Sequence, residues 1–254
     1  MDQLRISGKD LGVVALPDFC ERCFWVQRRV PEGLPFQIFP GIFSSIDSYS
    51  KHVVHSWFDR HSASPPWLAE VGEVIGYREP PHHSKFRTVD ATTNILLTGA
   101  PDAIFEFKDG SLLIADYKTA RFTGTQDKLF PIYQTQLNAY AVISESSGFG
   151  RVSRLALVYT EPITDKDTAG SDSVHRSDGF NMGFSARVLP VDLDATTIPP
   201  LLKRTRQILD LPTPPDGRLG CKDCLKLQGL LDLMAGRPFS KGAGLGYGTS
   251  EAGR

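Results

Sequence analysis

A carboxylate and an amine stand two residues apart at the end of an apolar run in the middle of the chain. In an extended segment residues two apart share a face, so Asp116 and Lys118 project to one side while Leu113, Ala115 and Tyr117 face the other. Removing either charge from water costs several kcal/mol unless the charge is paired or bound to a metal. The placement therefore indicates either a chemical role or a structural ion pair.

A second carboxylate, Asp102, precedes this pair. Residues 95–107 are rich in branched and aromatic side chains, and the Asp-Gly step within residues 108–111 predicts an antiparallel hairpin. On that hairpin Asp102 would approach Asp116, unless it is only a turn residue. Two converging carboxylates suit Mg²⁺ or Mn²⁺, and Lys118 can orient water or stabilise negative charge on a phosphate.

A helix is predicted over residues 131–144, where apolar and aromatic residues recur at spacings of three and four. Gln136 and Tyr140 lie one turn apart on the same face of this helix. Gln136 and Tyr140 also share a stripe with Tyr133 and Leu137, and a helix that faces a hydrophobic core shows such a stripe. Packing is therefore the alternative role for Gln136 and Tyr140.

Three short motifs occur in a characteristic order: Gly99-Ala-Pro-Asp102, Ile114-Ala-Asp116-Tyr-Lys118-Thr119 and Gln136-Leu-Asn-Ala-Tyr140. Over roughly residues 45–160 this order and spacing resemble the PD-(D/E)XK nuclease superfamily, specifically its RecB-like branch, which includes CRISPR-associated RecB-like exonucleases. The resemblance implies that Asp102, Asp116 and the Tyr117 carbonyl bind the metal and that Lys118 is the catalytic lysine. It also implies that Gln136 and Tyr140 position the substrate backbone or the lysine.

The resemblance further implies a metal ligand on an early helix. The hydrophobic pattern predicts a helix from Ile46 to about Arg60, with two histidines on one face. We select His55 as the ligand, with His52 as its alternative, because a neutral imidazole can bind a divalent ion. A structural role is the other interpretation of a helical histidine.

Four cysteines form two C-x-x-C pairs near opposite ends of the chain, at Cys20 and Cys23 and at Cys221 and Cys224. The amino terminus lacks the apolar region of a secretory signal, so we expect the protein to stay in a reducing cytoplasm. In that compartment the cysteine pairs indicate a metal or redox site rather than disulfides. Four thiolates can bind Zn²⁺ or an iron–sulfur cluster, and spacing alone does not choose between them.

The resemblance favours a 4Fe–4S cluster, because some RecB-like nucleases carry one with cysteines that flank the nuclease domain. The division into two early and two late cysteines keeps Zn²⁺ as the alternative. Either group would join the chain ends and close a long loop. A thiol oxidoreductase is disfavoured because no βαβ pattern surrounds either pair.

The predicted order of elements is helix, antiparallel strands, helix, strands and helix, with later strands at residues 154–159 and 183–191 and a late helix at residues 198–210. This order predicts an α/β fold with a mixed sheet, and the resemblance implies a restriction-endonuclease-like sheet flanked by helices. We expect one domain over residues 1–239. Its catalytic core would lie at about residues 45–195, its cysteine clasp at residues 18–26 and 219–226, and a glycine-rich disordered tail at residues 240–254.

The charge and hydrophobic composition limit how the chain can bind nucleic acid or a membrane. In 254 residues, 28 Lys and Arg oppose 29 Asp and Glu, and the net charge of −1 excludes nucleic-acid binding by bulk charge. No apolar segment is long enough for a membrane helix. We predict a metal-dependent DNA nuclease, with exonuclease action as the expected mode, recruited to DNA by a helicase, repair or CRISPR-adaptation partner. The alternative is a non-catalytic module that binds nucleic acid or a repair complex.

Overall fold

The computed structural model describes residues 2–30 and 40–237, and these residues fall into two units. The first unit comprises Met1–Pro17 and Ile38–Arg206, and the second comprises Asp18–Gln37 and Gln207–Arg254. The proposed tail, residues 240–254, lies outside the described residues.

The first unit is built around a five-stranded sheet with the order β10-β7-β6-β5-β2. Its strands are β2 (Val74–Arg78), β5 (Ala103–Phe107), β6 (Leu112–Thr119), β7 (Val152–Pro162) and β10 (Phe184–Val191). The β6 and β7 strands are parallel and the other neighbouring pairs are antiparallel, so the sheet is mixed. Because helices flank it, the predicted mixed α/β fold is confirmed.

The remaining strands form two small sheets. One has the order β1-β4-β3, from β1 (Leu4–Ser7), β3 (Arg87–Asp90) and β4 (Ile95–Thr98). The other pairs β8 (His175–Arg176) with β9 (Gly179–Phe180). The helices of this unit are α1 (Gly8–Val13), α3 (Ile42–His61), α4 (Phe130–Ser146), α5 (Lys166–Ala169) and α6 (Ile198–Leu209), whose last residues belong to the second unit.

The two faces of β6 carry different side chains, as the alternation predicts. Leu113, Ala115 and Tyr117 join the hydrophobic core beneath α3, together with Val54 and Phe58 of that helix. The opposite face carries Asp116 and Lys118 and lies against α4, which connects β6 to the parallel strand β7. A parallel pair needs such a crossover, because a short turn cannot join its ends.

The predicted hairpin is confirmed for β5 and β6, and its turn is well defined. Gly110 has a φ of +77°, which glycine adopts without strain. The Asp109 carboxylate accepts hydrogen bonds from the backbone N–H of Ser111 at 2.9 Å and from its hydroxyl at 2.6 Å.

Asp102 is not on a strand, contrary to our expectation. Residues 95–107 form two strands in different sheets, β4 and β5, and Asp102 lies one residue before β5. Pro101 cannot donate a ladder hydrogen bond, which helps to end strand pairing at this point.

The other predicted elements are present with shifted ends. The helix predicted over residues 46–60 is α3, which is longer. Its buried residues are Val54 and Phe58, whereas Tyr49 and Val53 are exposed. The strands predicted at residues 154–159 and 183–191 are β7 and β10, and the late helix is α6.

The second unit contains α2 (Glu21–Arg29) and α7 (Lys222–Met234), which contact each other. Side chains of α2 bind the backbone that precedes α7: the Trp25 indole N–H donates to the Leu211 carbonyl at 3.0 Å, and the Arg29 guanidinium donates to the Leu209 carbonyl at 2.8 Å. Both cysteine pairs belong to this unit. Across the described ranges, no helix has the length and apolar character needed to cross a bilayer.

Gly99 allows a close approach between the segment before β5 and α4. A Cβ at this position would lie 2.6 Å from the Tyr140 ring and 3.1 Å from the Phe86 ring. The glycine of the first motif is therefore needed for packing, because the Tyr140 ring occupies the space that any side chain would fill.

We expect Gly99→Ala to lower the free energy of unfolding by about 1–3 kcal/mol, the usual cost of overpacking a filled core. Chemical denaturation monitored by circular dichroism measures this. Gly41→Ala is the matched control, since a Cβ there meets nothing within 4 Å and the φ of −60° suits alanine. Equal stability of the two variants would contradict the packing role.

Candidate active site and cysteine centre

Asp116 is the most deeply buried acidic side chain of the site, with 3% of its surface exposed. Its Oδ1 accepts a hydrogen bond from the Gln136 side-chain amide at 3.0 Å. Its Oδ2 forms an ion pair with the Lys118 ammonium. One strand and one helix thus supply both partners of a carboxylate that the fold has removed from water.

Asp102 lies beside this group and is held by two elements. Its Oδ2 accepts the backbone N–H of Tyr117 at 3.0 Å, and its Oδ1 accepts the Lys51 ammonium of α3 at 3.0 Å. The bond to Tyr117 fixes Asp102 to the same strand that carries Asp116 and Lys118. The structure therefore brings the three residues together, as the motif order predicts.

The two carboxylates interact strongly enough to affect proton binding. Burial raises the pKa of Asp116; the Lys118 charge opposes the increase, while Asp102 adds to it through its charge and a hydrogen bond. Two neighbouring carboxylates repel each other unless a cation lies near both. Their oxygen atoms match the ligand preference of Mg²⁺ and Mn²⁺, so this donor set fits the divalent ion that the sequence predicts.

Gln136 and Tyr140 form the side of the site that belongs to α4. The Gln136 amide nitrogen lies 3.0 Å from Asp116 Oδ1 and 2.8 Å from the Tyr140 hydroxyl. Burial raises the pKa of Tyr140 and the Asp116 charge adds to this, so the hydroxyl stays protonated at neutral pH. The pair positions Asp116, and a direct contact with substrate stays a prediction.

Tyr133 belongs to the site as well as to the packing stripe in which its spacing places it. The Lys118 ammonium lies 4.3 Å from the centre of its ring, within cation–π distance. Burial raises the pKa of Tyr133 to about 12, so the phenol stays neutral. Its position one helical turn before Gln136 is the signal that could have identified it.

Lys51 is a second residue that sequence reasoning missed. Its ammonium bridges Asp102 at 3.0 Å and Asp47 at 2.9 Å. Burial pushes the pKa of Lys51 down, but the charge of Asp102 and the hydrogen bonds to both carboxylates outweigh this and raise it. An acidic residue four positions before a lysine on a helix face was the available signal.

His55 lies one helical turn after Lys51 and has other neighbours. Its ring stacks on Tyr77 with 3.9 Å between ring centres, and its Nδ1 lies 3.5 Å from Glu79 Oε1. The alternative residue, His52, is exposed. The described residue of α3 that contacts Asp102 is therefore Lys51, and metal binding by His55 stays a prediction.

The four cysteines converge within the second unit. Their Sγ atoms all lie within 4.8 Å of one another, and none forms a disulfide. The closest pairs are Cys23 with Cys224 at 3.4 Å, Cys20 with Cys224 at 3.5 Å and Cys23 with Cys221 at 3.6 Å. The predicted cysteine clasp is thus a single cluster of four sulfurs with the chemistry to bind a metal.

Backbone donors favour the thiolate form of one cysteine of this cluster, Cys20. The Arg218 N–H donates to Cys20 Sγ at 3.3 Å. Burial tends to raise the pKa of Cys20, but the N–H groups of Arg218 and Cys23, together with the thiols of Cys224 and Cys23, outweigh it and bring the pKa to about 6. Burial raises the pKa of the other two partners, that of Cys224 to about 11 and that of Cys23 further still, with hydrogen bonds to neighbouring cysteines adding to the increase for Cys23. The thiolate is the form that binds metals.

Comparison with known proteins identifies the superfamily. A family model for the PD-(D/E)XK nuclease superfamily matches residues 37–225, which include the three motifs and the second cysteine pair. A solved structure described as "Crystal structure of SSO0001" is similar over 85% of this chain and 81% of that chain, with 15% sequence identity and a TM-score of 0.37. No curated protein matches the chain.

Proposed function

The chain belongs to the PD-(D/E)XK nuclease superfamily, and from this premise we propose that it is a metal-dependent DNA nuclease. The observation that carries the proposal is the buried Asp116 carboxylate, which is paired with Lys118 and lies beside a second carboxylate, Asp102. A module that only bound nucleic acid would have no use for a buried carboxylate held beside a second, partly exposed carboxylate at this cost. Exonuclease action of the RecB-like type is part of the proposal.

Each residue has a distinct role in the proposed reaction. Asp102 and Asp116, with the Tyr117 carbonyl, would hold the divalent ion, and His55 is kept as a proposed further ligand. A bound Mg²⁺ or Mn²⁺ supplies Lewis acidity and an activated water for attack on the phosphodiester. Lys118 places a positive charge where the phosphate becomes more negative.

The supporting residues limit the freedom of the two carboxylates. The Tyr117 N–H holds Asp102, and the Gln136 amide holds Asp116. Fixing charged groups before the reaction lowers its barrier because little reorganisation remains to be done. The net charge of −1 supports recruitment to DNA by a helicase, repair or CRISPR-adaptation partner, which we also propose.

The nuclease proposal is tested with end-labelled single- and double-stranded DNA in Mg²⁺ or Mn²⁺. We expect Asp116→Asn and Lys118→Met each to lower the cleavage rate by about 10²-fold to 10³-fold, because each removes a charge that acts on the phosphate or holds the metal. Release of mononucleotides from an end would support exonuclease action.

Asp178→Asn is the matched control, since Asp178 is an exposed carboxylate of the same unit that the site does not use. Its cleavage rate should equal that of the unmodified chain, and circular dichroism checks that all variants fold. Unchanged metal-dependent cleavage in both site variants would refute the proposed site. Retained DNA binding without cleavage in any divalent ion would favour the binding module.

Tyr133 should act as a positioning residue for Lys118. A cation–π interaction contributes about 0.5–2 kcal/mol, so we expect Tyr133→Leu to lower kcat by roughly 2-fold to 30-fold with little change in KM. Tyr133→Phe keeps the ring and should stay within about 2-fold of the unmodified chain. Equal losses in both variants would show that the ring is not what matters.

For the cysteine centre we propose a single tetrahedral ion, Zn²⁺, in place of the expected 4Fe–4S cluster. Four thiolates around one zinc ion at about 2.3 Å have neighbouring sulfurs roughly 3.8 Å apart. The closest sulfur pairs, at 3.4–3.6 Å, are near that value. In a four-iron cluster each thiolate binds a different iron, so the sulfurs must lie farther apart.

Anaerobic purification followed by metal analysis and a visible spectrum tests this proposal. We expect one zinc ion per chain and no visible absorption. Cys224→Ser should lose the ion and lower the thermal midpoint, because metal binding contributes to folding. A brown protein with iron and acid-labile sulfide would refute the zinc assignment without affecting the nuclease proposal.

A further inference from the structure

Each carboxylate oxygen of Asp102 and Asp116 has a nitrogen partner. A neutral N–H group binds one oxygen of each residue. An ammonium group lies at the other oxygen of each: Lys51 is 3.0 Å from Asp102 Oδ1, and Lys118 pairs with Asp116 Oδ2. A divalent ion held by these carboxylates would lie close to two positive charges, and like charges at short range repel each other.

Lys51 has a second carboxylate within reach. Its ammonium lies 2.9 Å from Asp47 Oδ2, and Asp47 precedes it by one turn on the same helix, α3. An acidic residue four positions before a lysine is the favourable arrangement for a pair on a helix surface. Because lysine has a flexible four-carbon stem, the ammonium can stay with Asp47 when its bond to Asp102 is broken.

Lys118 has no such alternative. Its ammonium pairs with the buried Asp116 and lies 4.3 Å from the centre of the Tyr133 ring. In the part of the chain that the structure describes, no second carboxylate lies within ion-pair distance of Lys118. Of the two ammonium groups, Lys51 is therefore the one that can leave its site carboxylate and remain paired.

We propose that Lys51 is an internal counter-ion, which competes with the divalent ion for Asp102 and sets the affinity of the site for the metal. The inference rests on the proposed function, which makes Asp102 a metal ligand. Lys51 pairs with Asp102 and Asp47 before the ion binds and with Asp47 alone afterwards. Because coupling between two binding events is reciprocal, the ion weakens the Lys51–Asp102 bond by the factor by which that bond weakens metal binding.

Mn²⁺ binding to the full chain without DNA tests this inference, and the electron paramagnetic resonance signal of free Mn²⁺ measures Kd. Only the Mn²⁺ that Asp102→Asn fails to bind is assigned to the site. A neighbouring charge changes the proton affinity of a carboxylate by about 10-fold or more, so we expect Lys51→Met to lower Kd for Mn²⁺ by roughly 10-fold to 100-fold.

Two variants serve as controls for this measurement. Lys51→Arg keeps the positive charge and should bind Mn²⁺ no more tightly than the unmodified chain. Lys108→Met removes a lysine outside the site, whose side chain is 75% exposed and pairs with Glu73, and it should leave Kd unchanged.

Thermal unfolding shows whether Lys51 leaves Asp102 when Mn²⁺ binds. Lys51→Met should lower the thermal midpoint in EDTA, where the ammonium pairs with Asp102, but not in saturating Mn²⁺. Equal decreases under both conditions would show a purely structural lysine and overturn the inference. Amine acetylation followed by peptide mass spectrometry should show faster modification of Lys51 in Mn²⁺ than in EDTA, with Lys108 unchanged.

Asp47→Asn tests whether Asp47 receives the ammonium. This change should weaken Mn²⁺ binding in the unmodified chain, because Lys51 then has Asp102 as its only carboxylate. Its effect should be smaller in the Lys51→Met background, where no ammonium has to move. Equal losses in both backgrounds would show that Asp47 acts on the ion directly and would overturn the exchange between two carboxylates.

The outcomes separate this inference from the proposed function. Unchanged or weaker Mn²⁺ binding in Lys51→Met, with metal-dependent cleavage of DNA by the unmodified chain, would overturn the counter-ion and leave the nuclease proposal standing. Tighter binding in Lys51→Met without cleavage in any divalent ion would support the counter-ion and overturn the nuclease. Mn²⁺ binding that Asp102→Asn leaves unchanged would overturn both the proposed ligand set and the inference.

Discussion

The burial of the Asp116 carboxylate is the constraint on which the site depends. With 3% of its surface exposed, Asp116 requires the Lys118 ammonium on one oxygen and the Gln136 amide on the other. Lys118 comes from the same strand, but Gln136 must be delivered by α4. The packing of Tyr140 against Gly99 sets the height of α4 over the sheet and so places Gln136. A glycine outside the charged group thus supports its geometry.

The second carboxylate is fixed by backbone rather than by packing. Asp102 lies in the irregular segment before β5, where nothing in the local pattern dictates its orientation, and the Tyr117 N–H ties it to β6. Lys51 belongs to α3, which packs on the sheet face opposite α4, and its ammonium offsets the charge of Asp102. The two carboxylates are thereby held close enough to interact. Their mutual repulsion costs free energy unless a cation lies near both, and this cost is the physical argument for metal binding.

The sequence predicted the parts of the fold that depend on local pattern. Alternation along β6 correctly separated Asp116 and Lys118 from Tyr117, and the Asp-Gly turn predicted the hairpin. The roles of Lys51 and Tyr133 escaped prediction because they arise only when α3 and α4 dock on the sheet. The cysteine pairing predicted one centre, but the sulfur spacing that bears on the number of metal ions exists only in three dimensions.

The charge balance of the site indicates how a chain of net charge −1 would act on a polyanion as the proposed nuclease. When both carboxylates are ionised, Asp102 and Asp116 carry two negative charges and Lys51 and Lys118 carry two positive charges, so the four residues together present no net attraction to phosphate. A divalent ion held by the carboxylates would change this balance to strongly positive at one point only. Attraction to DNA would then depend on metal binding, and it would be concentrated where the proposed reaction occurs instead of being spread over the surface.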